Sequence, residues 1–212
     1  MQVFTFQGDN MIIEIEGIDQ AGKSTQCQYL ERQFRAKGFD VYLYKFPAYH
    51  TETGGLLSKA LAGDIYLPAE ALYALFSANR YEVDPRIRAV AEKAENIILI
   101  DRYIFSGVAY GMARGLDKSW LFSLDSKLSR PDLVLLLRVD ADLSVSRKSE
   151  RQKDTYEKDT NFLRKVSKIY DDLSVEFKDI FTIVDSNRTI QEVSYSCWDN
   201  ICKMVQKRKA FQ

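Results

Sequence analysis

The chain has 212 residues, 46% hydrophobic and 12% aromatic, enough to bury the core of one domain, or of one domain carrying an inserted lid. Thirty Lys and Arg balance thirty Asp and Glu, which disfavours a whole-protein role on nucleic acid or a charged membrane surface. The single histidine, His50, excludes any site needing two, and leaves Ser-His-Asp or Cys-His chemistry dependent on that one residue. Cys27, Cys197 and Cys202 are odd in number and form no CxxC pair, so they read as small buried hydrophobes in a reducing compartment. The first ten residues lack a signal-peptide pattern, and no stretch approaches the ~20 apolar residues of a membrane span. A soluble, cytoplasmic protein is expected.

Residues 11–16 read as a short apolar strand, followed by a glycine-rich turn and a helix from Ser24 to about Lys37, with Gly38 placed as a helix-ending glycine. Residues 41–46 are strand-like and Pro47 ends them. Residues 68–93 are rich in Ala and Leu and predict a helix, with Pro85 marking a break or restart. Ile97 to Ile100, Leu133 to Val139 and Phe181 to Val184 are apolar runs of the kind found in strands buried on both faces. Helical segments are expected at about 104–114, 117–128, 141–151, 157–177 and 190–208. Alternating strands and helices predict an α/β fold: a three-layer arrangement with about five parallel strands between helices. One compositional shift stands out. Nine of the thirteen residues from Arg147 to Asp159 are charged and none is aliphatic. This segment reads either as a solvated loop or as a polar lid over a phosphate site.

Gly17-Ile18-Asp19-Gln20-Ala21-Gly22-Lys23-Ser24 fits the phosphate-binding loop at every fixed position, after a strand and before a helix. Gly17 and Gly22 allow the backbone to approach a phosphate. Loop amides, the helix N-terminus, Lys23 and the Ser24 hydroxyl then offer contacts to a nucleoside triphosphate and Mg2+, with Thr25 alongside. Asp101 ends a buried strand, where ligands of parallel sheets bind, and is placed to position Mg2+ or its waters. Arg102 beside it either serves phosphates or pairs with Asp101. No NKxD-type guanine-reading motif is present, which argues against a GTPase.

Five stretches in order resemble thymidylate kinases: Glu16 to Gln26, Lys45-Phe46-Pro47, Leu75 to Arg80, Asp101 to Tyr110, and Arg130 to Leu133. The resemblance runs over nearly the whole chain, read as a single kinase domain with a lid at about 147–157. It implies ATP as donor, Mg2+ as cofactor, dTMP as acceptor, and a homodimer. Asp19 is similar to a residue that meets the acceptor sugar and helps organise the metal. Phe76 and Arg80, on one helix face, resemble a thymine reader that stacks with the ring and donates from the guanidinium. For Phe76 the alternative is core packing, and for Arg80 an ion pair with Glu82 or Asp84. Ser106 and Tyr110 resemble the pair lining base and deoxyribose, and Phe46, Pro47 and Tyr49 are expected at the same acceptor.

The same resemblance makes the charged segment the lid. Gln20 is neutral where some members carry arginine, so Arg147 or Arg151 is expected to supply the catalytic cation, with Tyr156 at the acceptor and Glu157 either at Mg2+ waters or the acceptor sugar, or simply an acid at a helix start. One departure concerns the acceptor phosphate. The family places an arginine just after Phe46-Pro47, where this chain has Ala48-Tyr49-His50. Arg102 must do more, helped by Lys45, Tyr49 or His50. A kinase of another nucleotide or deoxynucleoside, or a regulatory nucleotide-binding module, are the competing readings.

Overall fold

The computed structural model describes residues 10–93, 95–146 and 160–209. In chain order the elements are β1 (Met11–Glu16), α1 (Lys23–Arg35), β2 (Asp40–Lys45), α2 (Glu52–Ala62), α3 (Ala69–Ala91), β3 (Asn96–Asp101), α4 (Ile104–Ala113), α5 (Lys118–Leu124), β4 (Leu133–Arg138), α6 (Ala141–Ser146), α7 (Thr160–Glu176), β5 (Phe181–Asp185) and α8 (Ile190–Lys209). The expected α/β class and all five expected strands are present.

The strands form one parallel sheet in the order β2-β3-β1-β4-β5. β1 and β3 are buried along their whole length, and β4 along all but its last residue. Near-continuous apolar runs are what a strand covered on both faces requires. β2 and β5, at the edges, alternate between buried and exposed positions. Because side chains alternate across a strand, β1 sends Ile13 and Ile15 into a core with Leu30 and Phe34 of α1. Ile12 joins a second core with Val83 and Ile87 of α3 and with Ile104. The face of Ile12 is also the face of Glu14 and Glu16. α1 packs against α8, and α4 against α3 and α7, completing the outer layers.

Parallel pairing sets the carboxyl ends of β1, β2 and β3 side by side: Ile15 pairs with Asp101, and Asp101 with Lys45. Everything that follows β1 and β3 in sequence therefore converges on one edge of the sheet, where ligands of this architecture bind. Among the described residues no helix is long and apolar enough to cross a membrane.

Three details differ from the sequence expectations. α3 runs without a break through Pro85. The ring leaves the Tyr81 carbonyl without its helical donor, yet the turn is held from both sides. Val83 and Ile87 are buried, and Asp84 accepts from Tyr103 Oη (3.0 Å), Ser129 N (2.9 Å) and Arg88 Nε (2.5 Å). α5 stops at Leu124 rather than near residue 128, because the next residue, Asp125, turns inward to serve α3. α2 was not foreseen. It opens at Thr51, whose hydroxyl accepts from Gly54 N. Its glycines and isolated leucines give too weak a helical period to read.

Gly54 brings α2 backbone-to-backbone against the turn after β2: a Cβ there would lie 2.0 Å from the Ala48 carbonyl oxygen. Gly55 faces open space, with nothing within 4 Å of its Cβ position. Gly54→Ala should destabilise the fold by about 1–3 kcal/mol through overpacking. Gly55→Ala should stabilise it by about 0.5–1 kcal/mol. Urea unfolding of the two variants measures both, and equal effects would contradict the close approach.

Candidate active site

The loop from Gly17 to Ser24 wraps the start of α1. Gly17 has φ 141°, and a Cβ there would lie 2.5 Å from the Leu137 carbonyl oxygen of β4, so both conformation and space require glycine. Gly22 needs only its left-handed φ of 94°, since the nearest atom to its Cβ position, Ser186 Oγ, is at an ordinary 3.9 Å. Gln20 is also left-handed (φ 56°). Lys23 is buried, and its Nζ donates to Gly17 O (3.1 Å) and Ile18 O (2.8 Å). Burial, with the Arg102 guanidinium nearby, pulls its ammonium down to about 8. An ammonium held this way gains from any anion that arrives in the loop, because the anion offsets both causes of the shift.

Asp101 is buried at the end of β3. Its Oδ2 accepts from Ser24 Oγ at 2.5 Å and lies 3.7 Å from Lys45 Nζ, and Lys45 Nζ donates to Ser24 Oγ at 3.3 Å. Asp101 Oδ1 is buried with no hydrogen-bond donor. A buried carboxylate oxygen without a partner is costly in the absence of a cation or water. An orphaned carboxylate oxygen beside a hydroxyl is the hard-oxygen donor set that suits Mg2+, which takes few protein ligands and completes its shell with water and phosphate. The residues present thus fit the metal.

On the other side of Arg102 opens a cavity of about 160 Å3. α3 lines it with Leu72, Tyr73, Phe76 and Arg80, α4 with Ser106, Gly107 and Tyr110, and the turn after β2 with Phe46, Pro47 and Tyr49. The Phe46-Pro47 peptide is cis. The walls are mostly apolar and aromatic, the lining of a small-molecule site with a few polar anchors. Phe76 both packs on the core and faces this space. Arg80 is buried and does not pair with Glu82 or Asp84. It forms a fork with Asp125, Nε to Oδ1 at 3.2 Å and Nη2 to Oδ2 at 2.7 Å, and Ser77 Oγ also donates to Oδ1 at 2.6 Å. Gly107 makes room for it: a Cβ there would sit 2.9 Å from Arg80 Nη2. Asp125 is the residue that sequence reasoning missed here. Its signal was weak, a lone acid inside the helix expected over 117–128.

Arg102 joins the two halves. It does not pair with its neighbour Asp101. Its Nη2 binds Asp19 in a short ion pair, and Nη1 donates to Gly17 O (3.3 Å) and Ser106 Oγ (3.2 Å). The guanidinium carbon stands 5.2 Å from the Tyr110 ring centre, in cation–π range. The structure thus brings Asp19, Arg102, Ser106 and Tyr110 together at one end of the cavity, and Phe76 and Arg80 along its wall. His50 is exposed in the turn and does not line the cavity; Tyr49 does. Arg147, Arg151, Tyr156 and Glu157, with the rest of the expected lid, lie outside the described residues.

A strand-loop-helix phosphate cradle, next to an aromatic cavity and sharing one arginine with it, has the layout of a two-substrate phosphotransferase. A family model described as thymidylate kinase matches residues 15–196. The chain belongs to the thymidylate kinase family. It is 36% identical over 190 residues to the thymidylate kinase of Schizosaccharomyces pombe, covering 88% of this chain and 89% of that one. The zebrafish (Danio rerio) thymidylate kinase is 34% identical over 183 residues, covering 86% and 85%. Among solved structures, the thymidylate kinase of Candida albicans, described as revealing the origin of broad substrate specificity, superposes with a TM-score of 0.81 at 31% identity, covering 92% of each chain.

The buried Arg80–Asp125 fork carries a stability prediction. Asp125→Ala strands a guanidinium that is only 6% exposed, and should destabilise the protein by about 3–5 kcal/mol. Chemical denaturation reads the loss; a change under about 1 kcal/mol would mean that water or another acceptor replaces the carboxylate.

Proposed function

We propose that this protein transfers the γ-phosphate of ATP to dTMP, giving ADP and dTDP. The observation that carries the proposal is the Arg102 guanidinium, placed between the phosphate cradle and the aromatic cavity, where donor and acceptor phosphates would meet. The nucleophile is a phosphate oxygen of dTMP, ionised at neutral pH, so no strong general base is needed. Catalysis then rests on positioning and charge neutralisation.

ATP lies along Gly17 to Thr25, with Lys23 at the β- and γ-phosphates. Ser24 and Asp101 would hold Mg2+ directly or through water, with Glu157 in support, and the ion supplies charge neutralisation on the donor phosphates. dTMP occupies the cavity, its base stacked on Phe76 and read by a guanidinium N–H of Arg80 that Asp125 does not use. Its sugar lies over Tyr110, near Asp19, Ser106 and Tyr156, and Phe46, Pro47 and Tyr49 close the other side. A ring packed under the sugar leaves no space for a 2′-hydroxyl. Arg147 or Arg151 completes the charge around the transferring phosphate. We further propose one kinase domain over the whole chain, a lid at about 147–157, a cytoplasmic location and a homodimer.

A coupled assay of ADP release across dTMP, dUMP, dCMP, dGMP and thymidine tests the acceptor. The breadth attributed to the Candida albicans relative makes this panel informative. The fastest turnover should be with dTMP, and ADP should not appear without an acceptor; faster turnover of thymidine would sink the proposal. Arg80→Lys keeps a cation against Asp125 but loses the guanidinium fork. It should raise the KM for dTMP by about tenfold, the worth of one charge-assisted hydrogen bond, and leave the KM for ATP nearly unchanged. Equal losses for both substrates would refute base reading by Arg80.

A further inference from the structure

Two glutamates sit in the interior of β1. Glu14 and Glu16 are fully buried in a strand whose neighbours are isoleucines, and both face α4. Buried carboxyl groups need partners, and the start of α4 supplies them. Glu16 Oε1 accepts from the backbone amides of Tyr103 and Ser106, both at 2.9 Å. Glu16 Oε2 accepts from Ser106 Oγ and Tyr170 Oη, both at 2.6 Å. Glu14 Oε1 accepts from Phe105 N at 3.0 Å, while its Oε2 has no donor. Burial and the neighbouring Glu16 charge push the Glu14 carboxyl well above the usual range. A protonated Glu14 brings its own donor to that oxygen.

These contacts surround Arg102. The residue has φ 65°, left-handed and unfavourable for any side chain other than glycine, so the surrounding structure must hold it there. Arg102 N donates to Ile15 O at 3.1 Å, and the next amide, Tyr103 N, is the one bound by Glu16. The side chain is reached as well: Arg102 Nη1 donates to Ser106 Oγ, whose own hydrogen is taken by Glu16. One carboxylate thus grips both the backbone just past the left-handed turn and the hydroxyl that receives the guanidinium.

We propose that Glu16 is the positioning residue that sets Arg102 for phosphoryl transfer, acting through Ser106 and the Tyr103 amide. This rests on the reading of Arg102 as the bridge between substrates. Glu16 itself touches neither substrate. Tyr170, on α7, ties the same carboxylate to the helix that follows the expected lid.

The test is a set of full-length variants with ATP, Mg2+ and dTMP. Misplacing a catalytic group by an ångström can cost about 100-fold; Glu16→Gln should therefore lower kcat by about 10–100-fold, with the KM for ATP within about threefold of wild type. Ser106→Ala should lower kcat by about tenfold or more, and the double variant should fall no further than about threefold below the worse single one, because the serine lies on a route through which Glu16 already acts. Multiplying losses, or Glu16→Gln with unaltered kcat, would overturn the proposal. Glu14→Gln, the neutral isostere of a protonated carboxyl, should keep kcat within about threefold; a loss equal to that of Glu16→Gln would overturn the assignment to Glu16 alone. If Glu16→Gln does not fold, Tyr170→Phe and Ser106→Ala still decide: the serine variant should lose kcat and the tyrosine variant lose less, and an unaltered serine variant would overturn the link. The wild-type assay separates this outcome from the function itself. Absence of dTMP turnover by wild type would refute the acceptor, and the variants would then be read with the nucleotide that wild type accepts.

Discussion

A guanidinium lodged between a phosphate-binding loop and an aromatic cavity must be satisfied from several sides at once, and the way Arg102 is satisfied organises this molecule. Asp19 meets it from the phosphate loop, the Gly17 carbonyl from the end of β1, Ser106 and Tyr110 from α4. These partners come from segments far apart in sequence. They meet because β1 and β3 pair in parallel, so that the loop after one strand and the helix after the other leave the sheet at the same edge. Displacing either strand end would separate the cradle from the cavity.

Burial of charge at this edge is offset group by group rather than by overall balance. Lys23 uses two loop carbonyls, Arg80 uses Asp125, and Asp84 is surrounded by Tyr103, Ser129 and Arg88. Among the described residues two buried carboxylate oxygens lack a donor, one on Glu14 and one on Asp101, and the latter lies beside Ser24. An unmet acceptor such as that of Asp101, next to the phosphate loop, is a place where binding of a cation gains energy instead of competing with the protein for it.

The cavity shows the same economy in shape. Glycine occurs where backbone or guanidinium must come close: Gly17 against β4, Gly54 against the Ala48 turn, Gly107 under Arg80. Aromatic rings fill the remaining wall. A flat ligand in such a cavity would need few polar groups, and Arg80 and Ser106 are each already oriented by a second residue behind them, Asp125 and Glu16.

The sequence by itself determined the strands, the phosphate loop and the family. Apolar runs of strand length and a fixed loop motif are local signals, and they depend on backbone geometry that the residues carry with them. It also nominated Asp101 and Arg102 from the end of a buried strand, and Phe76, Arg80, Ser106 and Tyr110 through resemblance to one family. Only the tertiary structure decided their partners. Arg80 pairs with Asp125 and not with Glu82 or Asp84, the alternative to base reading, and Arg102 pairs with Asp19 and not with Asp101, because an ion pair forms where strand order and helix packing bring charges together, and the left-handed turn at Arg102 carries its side chain away from the strand end. α2 and the continuity of α3 through Pro85 were hidden for a related reason: a cap at Thr51 and the buried contacts of Asp84 outweigh weak local propensity. Glu14 and Glu16 could be read as oddities in an apolar strand, but what they hold was decided by the register that sets β1 beneath the first turn of α4.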